Sequence, residues 1–135
     1  MTDPTPVAAV ALYAGLNGLI LAWMVIAIVR LRLRLGVYFG DGGHAILARA
    51  MRGQANFIEF TPMCLILLLM MAMLGAPLWV LHLFGATLTL GRLLHAMHFM
   101  AADAPAWQRS VGATLSLAVL VLGALGVAGH ALAAM

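Results

Sequence analysis

An all-α, four-helix up-down bundle embedded in a membrane is the fold this sequence predicts, and three observations predict it. Of its 135 residues 65% are apolar and only 8% charged, against roughly half and a quarter in soluble domains. Apolar runs at residues 7–29, 45–74, 78–100 and 111–134 match the ~20 residues that cross a bilayer as a helix. The connections are short, which sets successive helices antiparallel within a single membrane domain over residues 1–135. The charged groups are seven Arg, three Asp and one Glu, with no Lys. Seven arginines beside four apolar runs point to a bilayer, and no nucleic-acid partner is expected.

The first run carries no charge and stops at Arg30, with Arg32 and Arg34 following. No Lys or Arg precedes it, so it lacks the basic start of a cleaved signal peptide and is expected to remain as a helix. Asn17 sits in its middle and needs a hydrogen-bond partner across helices. The second run is the unusual one. Only residues 61–74 are cleanly apolar, yet residues 45–74 would extend about 45 Å as a helix, longer than the ~30 Å hydrocarbon core. Its first turns, with Arg49 and Arg52, therefore stand at the membrane surface, while Asn56 and Glu59 lie at hydrocarbon depth. Pro62 lacks an N–H and crowds the carbonyl of Ile58, which predicts a bend there.

The third run follows the turn signal Gly75-Ala76-Pro77. It carries Arg92, His95 and Phe99 on one face, with His98 beside them. Two histidines without a Cys or acidic neighbour do not make a metal site, so none is expected. His82 and His130 read as structural. The fourth run is charge-free, and its Gly123, Gly126 and Gly129, like Gly15 and Gly18 in the first, suit close helix packing. Cys64, the one cysteine, allows no intramolecular disulfide and lies in an apolar run where a thiol is inert. Trp79 and Trp107 fall near helix ends, as interfacial anchors do.

With four spans both termini share a side, and all seven arginines fall on or near the other. The positive-inside rule makes the arginine side cytoplasmic and puts the termini outside. On the second helix Arg49, Arg52, Asn56 and Glu59 lie within about 80° of one another, a single stripe, with Gln54 off it. A charge at bilayer depth costs at least ~2.5 kcal/mol, so such residues face a partner or a wet cavity. One reading is a structural ion pair of Arg52 with Glu59, or a contact with Arg92. The stripe as a whole points further, to a cationic cup with one carboxylate and one amide. Its ligand is anionic with a cationic or donor group for Glu59, and its lipid flank admits a hydrophobic second molecule.

The residues that build this stripe also carry a resemblance. Residues 49–62, RAMRGQANFIEFTP, resemble the second-helix signature of the membrane-associated proteins in eicosanoid and glutathione metabolism, which include microsomal glutathione transferase. Residues 91–96, GRLLHA, resemble the third-helix signature of bacterial members, and residues 40–44, GDGGH, their loop into the second helix. Asn17 sits where the family tends to place an amide. The resemblance implies a homotrimer of four-helix bundles in the bacterial inner membrane, with glutathione as co-substrate bound between neighbouring subunits. It assigns Arg52, Gln54, Asn56 and Glu59 to the tripeptide, with Arg92, His95 and Arg30 or Arg32 of the first-helix exit in support. Arg109 is its candidate for activating the thiol, which then attacks a lipophilic electrophile or peroxide. Phe60 and His95 stand where eukaryotic members carry Tyr, which changes the hydroxyl donors of the site.

Two other functions fit four helices. A small multidrug carrier would use a membrane carboxylate for proton exchange, but Glu59 shares its face with Arg49 and Arg52. A catalytically silent scaffold would use the arginine stripe only to seal an assembly.

Overall fold

A computed structural model describes residues 5–135. The four helices are α1 (Thr5–Leu35), α2 (Ala45–Met73), α3 (Leu78–Met100) and α4 (Ala106–Ala134). All four are long and apolar enough to cross a membrane. Two of them differ from the sequence reading at the arginine end. α1 continues through Arg30, Arg32 and Arg34 because Arg and Leu are both good helix formers. It stops at Gly36, whose φ of +66° suits a residue without Cβ. α4 starts five residues earlier than expected, directly after Pro105, whose φ of −64° leads into a helix. Arg109 therefore belongs to the first turns of α4 and not to a loop.

The ends of α2 are set by local chemistry. Before it, the Gly43 amide donates to the Asp41 carboxylate (2.9 Å) and the His44 amide to the Asp41 carbonyl (2.9 Å), a turn that aims the chain into the helix. After it, the Gly75 amide donates to Ala72 (3.2 Å) and the Ala76 amide to Met71 (2.9 Å), with Gly75 at φ +81°. This pairing closes a helix end on a left-handed residue, and Pro77 prevents its continuation. Within α2 the helix is unbroken through Pro62.

Every pair of helices packs together except α1 and α4, which flank the α2–α3 pair on opposite sides. At the α3–α4 seam backbone meets backbone. A Cβ built on Gly112 would lie 2.6 Å from the Gly91 carbonyl oxygen and 2.8 Å from the His95 amide nitrogen. Small residues here let two backbones approach in a solvent that supplies no hydrophobic drive. The glycines singled out from sequence behave differently. Gly123 makes ordinary contact with Leu67 and Phe84, while a Cβ on Gly15, Gly18, Gly126 or Gly129 would meet none of the described residues within 4 Å. The close approaches fall instead at Gly53, against Phe99, at Gly85, against Tyr13, and at the Gly91–Gly112 pair.

Buried apolar residues run the length of the bundle, from Val10, Leu68 and Leu81 at one end to Ile28, Leu47 and Ala50 at the other. Polar cross-links join them. Asn17 Nδ2 donates to Thr89 Oγ1 (2.9 Å), the cross-helix partner its position requires, and the Tyr13 hydroxyl meets His82 Nδ1 at 2.8 Å. Only 22–39% of each apolar window is buried, so most of the outward surface must be covered by lipid or by another protein chain. Trp79 and Trp107 are among the exposed residues near helix ends.

Candidate functional site

The arginines gather at the end of the bundle opposite the termini, and the second helix distributes its polar stripe in two directions. One edge turns inward. Arg49 donates through NH2 to the His98 carbonyl (2.8 Å), lies 2.9 Å from His98 Nε2 and passes over the Phe99 ring. His98 is fixed in turn by Nδ1 at 3.1 Å from the Pro105 carbonyl. Asn56, on the same edge, accepts from Arg92 NH1 at 3.0 Å. The other edge turns outward: Arg52 and Glu59 form an ion pair at 3.7 Å, with 67% and 51% of their side chains exposed. Of the two pairings open in the sequence, Glu59 takes Arg52.

Arg92 is the least expected member. It is 1% exposed, about 12 Å along α3 from Met100. Its Nε donates to Ser116 Oγ (2.7 Å), its NH1 to Asn56, and its guanidinium lies 5.5 Å from the centre of the Phe60 ring. Ser116 can accept that bond because its own proton goes to the Gly112 carbonyl (2.8 Å). Among the described residues no carboxylate pairs with Arg92. A guanidinium buried with neutral partners keeps its charge uncompensated, and such charges cost several kcal/mol unless something anionic faces them. Phe60 stands where a tyrosine would place a hydroxyl, and supplies a ring face to the cation instead.

Other candidates lie apart from this cluster. Arg32 and Gln54 line a cleft of about 400 Å³ between α1 and α2, walled also by Val25, Ile28 and Ile58. Gln54 is thus off the stripe, as its helical angle requires. Arg30 lines a different hollow of about 270 Å³ together with Arg34, Ile46 and Phe99. His95 is buried against Phe99, ring centroids 4.7 Å apart. Arg109 is exposed at the start of α4, within electrostatic reach of His95. One chain therefore does not gather all these residues around a single cavity. Ser116 and Thr89 were missed in the sequence. Their signal was a hydroxyl residue inside an otherwise apolar helix, where it needs a partner.

Arg32 has a structural duty of its own. Its NH1 donates to the carbonyl of Gly40 (2.8 Å) and, at 3.4 Å, to that of Val37, while NH2 approaches Met51 Sδ at 3.3 Å. These bonds tie the α1–α2 loop to the helix. Replacing Arg32 with Met is expected to cost about 1–2 kcal/mol and to speed limited proteolysis within residues 36–44. Unchanged cleavage there would show that the loop holds without it.

The comparisons with known proteins agree with this architecture. Residues 10–129 match the sequence model of the MAPEG family. The inner membrane protein YecN of Escherichia coli strain K12 is 42% identical over 89 residues, covering 66% of this chain and 68% of that protein. YecN of Escherichia coli O6:H1 matches to the same extent. With nearly the whole chain matched and four membrane-crossing helices in place, this is a membrane protein that belongs to the MAPEG family.

Proposed function

We propose that the chain is a membrane-bound, glutathione-dependent transferase or peroxidase, assembled as a homotrimer with the site completed between neighbouring copies. The observation that carries this reading is the outward-facing Arg52–Glu59 pair, with the uncompensated Arg92 buried on the other edge of the same stripe. Counting from Met73 along α2, Glu59 lies about 21 Å from the far end of a ~30 Å core. An exposed ion pair at that depth is costly against lipid and favourable in a wet cleft between copies. Glutathione offers such a cleft two carboxylates, one ammonium and a thiol. The carboxylates suit Arg52 and Arg30 or Arg32, the ammonium suits Glu59, and Asn56 and Gln54 supply amide contacts. Arg92 and His95, both buried, back the site from behind Asn56 and Phe99. By the positive-inside rule the site opens to the cytoplasm, with both termini on the far side of a bacterial inner membrane.

The chemistry asks for a thiolate. A guanidinium near the sulfur stabilises the anion and so lowers the thiol's pKa, and exposed Arg109 is the residue assigned to that task. The thiolate then displaces a leaving group from a lipophilic electrophile. In the peroxidase form it cleaves an O–O bond, and a second glutathione completes the disulfide while alcohol and water leave. Adding glutathione to the purified protein at neutral pH is expected to produce ultraviolet thiolate absorbance, together with turnover of an activated aryl halide or an organic hydroperoxide. In Arg109→Leu the pH at which half the bound thiol ionises should rise toward that of free glutathione. An unchanged ionisation profile would remove Arg109 from the mechanism, and absence of the thiolate signal in the wild-type protein would remove the enzyme reading.

A further inference from the structure

The three arginines that close α1 do not share a face. Arg30 and Arg34 stand one turn apart, about 6 Å along the helix and within about 40° of each other, whereas Arg32 points about 160° away from both. Arg32 lies in the α1–α2 cleft with Gln54. Arg30 and Arg34 stand instead over the hollow of about 270 Å³ where α1 meets the start of α2 and the end of α3. Its apolar walls include Leu31, Ala50, Phe99 and Met100, and both arginines are exposed at its rim.

Among the described residues neither guanidinium has a hydrogen-bond or ion-pair partner. Four of the other arginines are committed: Arg32 to the Gly40 carbonyl, Arg49 to His98, Arg52 to Glu59, and Arg92 to Asn56 and Ser116. Two uncompensated cations on one face attract an anion, and the planar fork of a guanidinium suits the oxygens of a phosphate. The surface below them decides what carries that phosphate. Ala27, a small residue, lines the hollow beneath Arg30. Trp23, one turn deeper, is 40% exposed and lies within about 20° of both arginines. The cationic face thus continues as an apolar one into the hydrocarbon. Glutathione, polar along its length, has nothing to set against that surface, whereas a lipid chain does. A zwitterionic headgroup would bring its own ammonium toward two guanidiniums, which like charges oppose.

We propose that Arg30 and Arg34 hold the phosphate of an anionic phospholipid, whose acyl chain runs down α1 past Ala27 and against Trp23. Basic hollows between spanning helices on the cytoplasmic side suit such headgroups, and each arginine near the surface adds to the attraction. This face is open to lipid. The cleft proposed between copies uses Arg52 and Glu59 on α2, and Gln54 and Arg32 on the opposite side of α1. The glutathione carboxylate then falls to Arg32 and not to Arg30. The lipid site itself stands whether or not the chain turns over glutathione.

The test uses phosphatidylglycerol with a photoactivatable diazirine in one acyl chain, added to the full chain in phosphatidylcholine nanodiscs, with labelled residues mapped by mass spectrometry. Labelling is expected at Trp23 and Ala27. It should be displaced by unlabelled phosphatidylglycerol, but neither by more phosphatidylcholine nor by soluble glycerol phosphate. Arg34→Gln should reduce it about fivefold, and Arg30→Gln with Arg34→Gln by at least about tenfold. Arg109→Gln removes the same charge from the same end of the bundle and should leave labelling at Trp23 unchanged. An equal loss in Arg109→Gln would overturn the proposal, reducing the effect to the general charge of that end. Displacement by glycerol phosphate would overturn it too, assigning the arginines to a soluble phosphate. Absence of label at Trp23 and Ala27 in the wild-type protein would do the same, as when a second copy covers this face.

Discussion

Arg92→Met is expected to leave the fold within about 2 kcal/mol of wild type and to weaken glutathione binding at least tenfold. Two opposing terms decide the stability. Removing the guanidinium deprives Asn56 Oδ1 of its donor, whereas Ser116 keeps its bond to Gly112. One unmet acceptor costs about 1–3 kcal/mol. Against that, a buried charge with no carboxylate partner no longer has to be accommodated, and apolar replacements at such places are often neutral or stabilising by about 1–4 kcal/mol. Methionine fills much of the same volume with a flexible chain. Arg92→Ala should fare worse by a few kcal/mol, because it adds a cavity to the same loss. Thermal unfolding in detergent beside a binding titration separates the two. If Arg92→Met melted far below wild type while the folded protein bound glutathione normally, the residue would be a structural pin and nothing more.

Gly112→Ala is expected to destabilise the protein by about 3 kcal/mol and to disturb the site with it. The new methyl would press on the Gly91 carbonyl, 2.6 Å away, and on the His95 backbone, 2.8 Å away. Neither is the end of a side chain that can swing aside, so α3 and α4 must separate. Their separation lengthens the Arg92–Ser116 bond, now 2.7 Å, and moves His95. Gly126→Ala on the same helix is the control, since its new methyl would meet none of the described residues within 4 Å. It should leave the melting of the single chain unchanged. Equal effects from the two substitutions would mean that the backbone approach at Gly91 and Gly112 does not hold α3 against α4.

The four spans were legible because length and charge-free runs are direct consequences of the bilayer as solvent. The ends were less so. Alternating Arg and Leu after Val29 looked like an exit, although both residues favour helix, and Trp107, Gln108 and Arg109 looked like loop because they are interfacial. The stripe on α2 was visible by its angle, and so was the separation of Gln54 from it. What the angle could not give is the direction of each edge, which depends on where α3 packs. For that reason Arg92 read as part of an open cup, whereas it is sealed between α2 and α4 by Asn56 and Ser116. Glycine spacing marked α4 as a packing helix. It did not distinguish Gly112, which lies against backbone, from Gly126 and Gly129, where a Cβ would meet none of the described residues within 4 Å.

On the function proposed above, the arginine end of this bundle holds glutathione. Calorimetric titration of glutathione into the detergent-purified protein tests it most directly, with Arg52→Ala and Glu59→Gln beside the wild type and the assembly checked by size. Saturable binding is expected, weakened by both substitutions while the assembly stays intact. No binding to the wild-type protein at millimolar glutathione would overturn that reading and leave the Arg52–Glu59 pair as an ion pair along one face of α2.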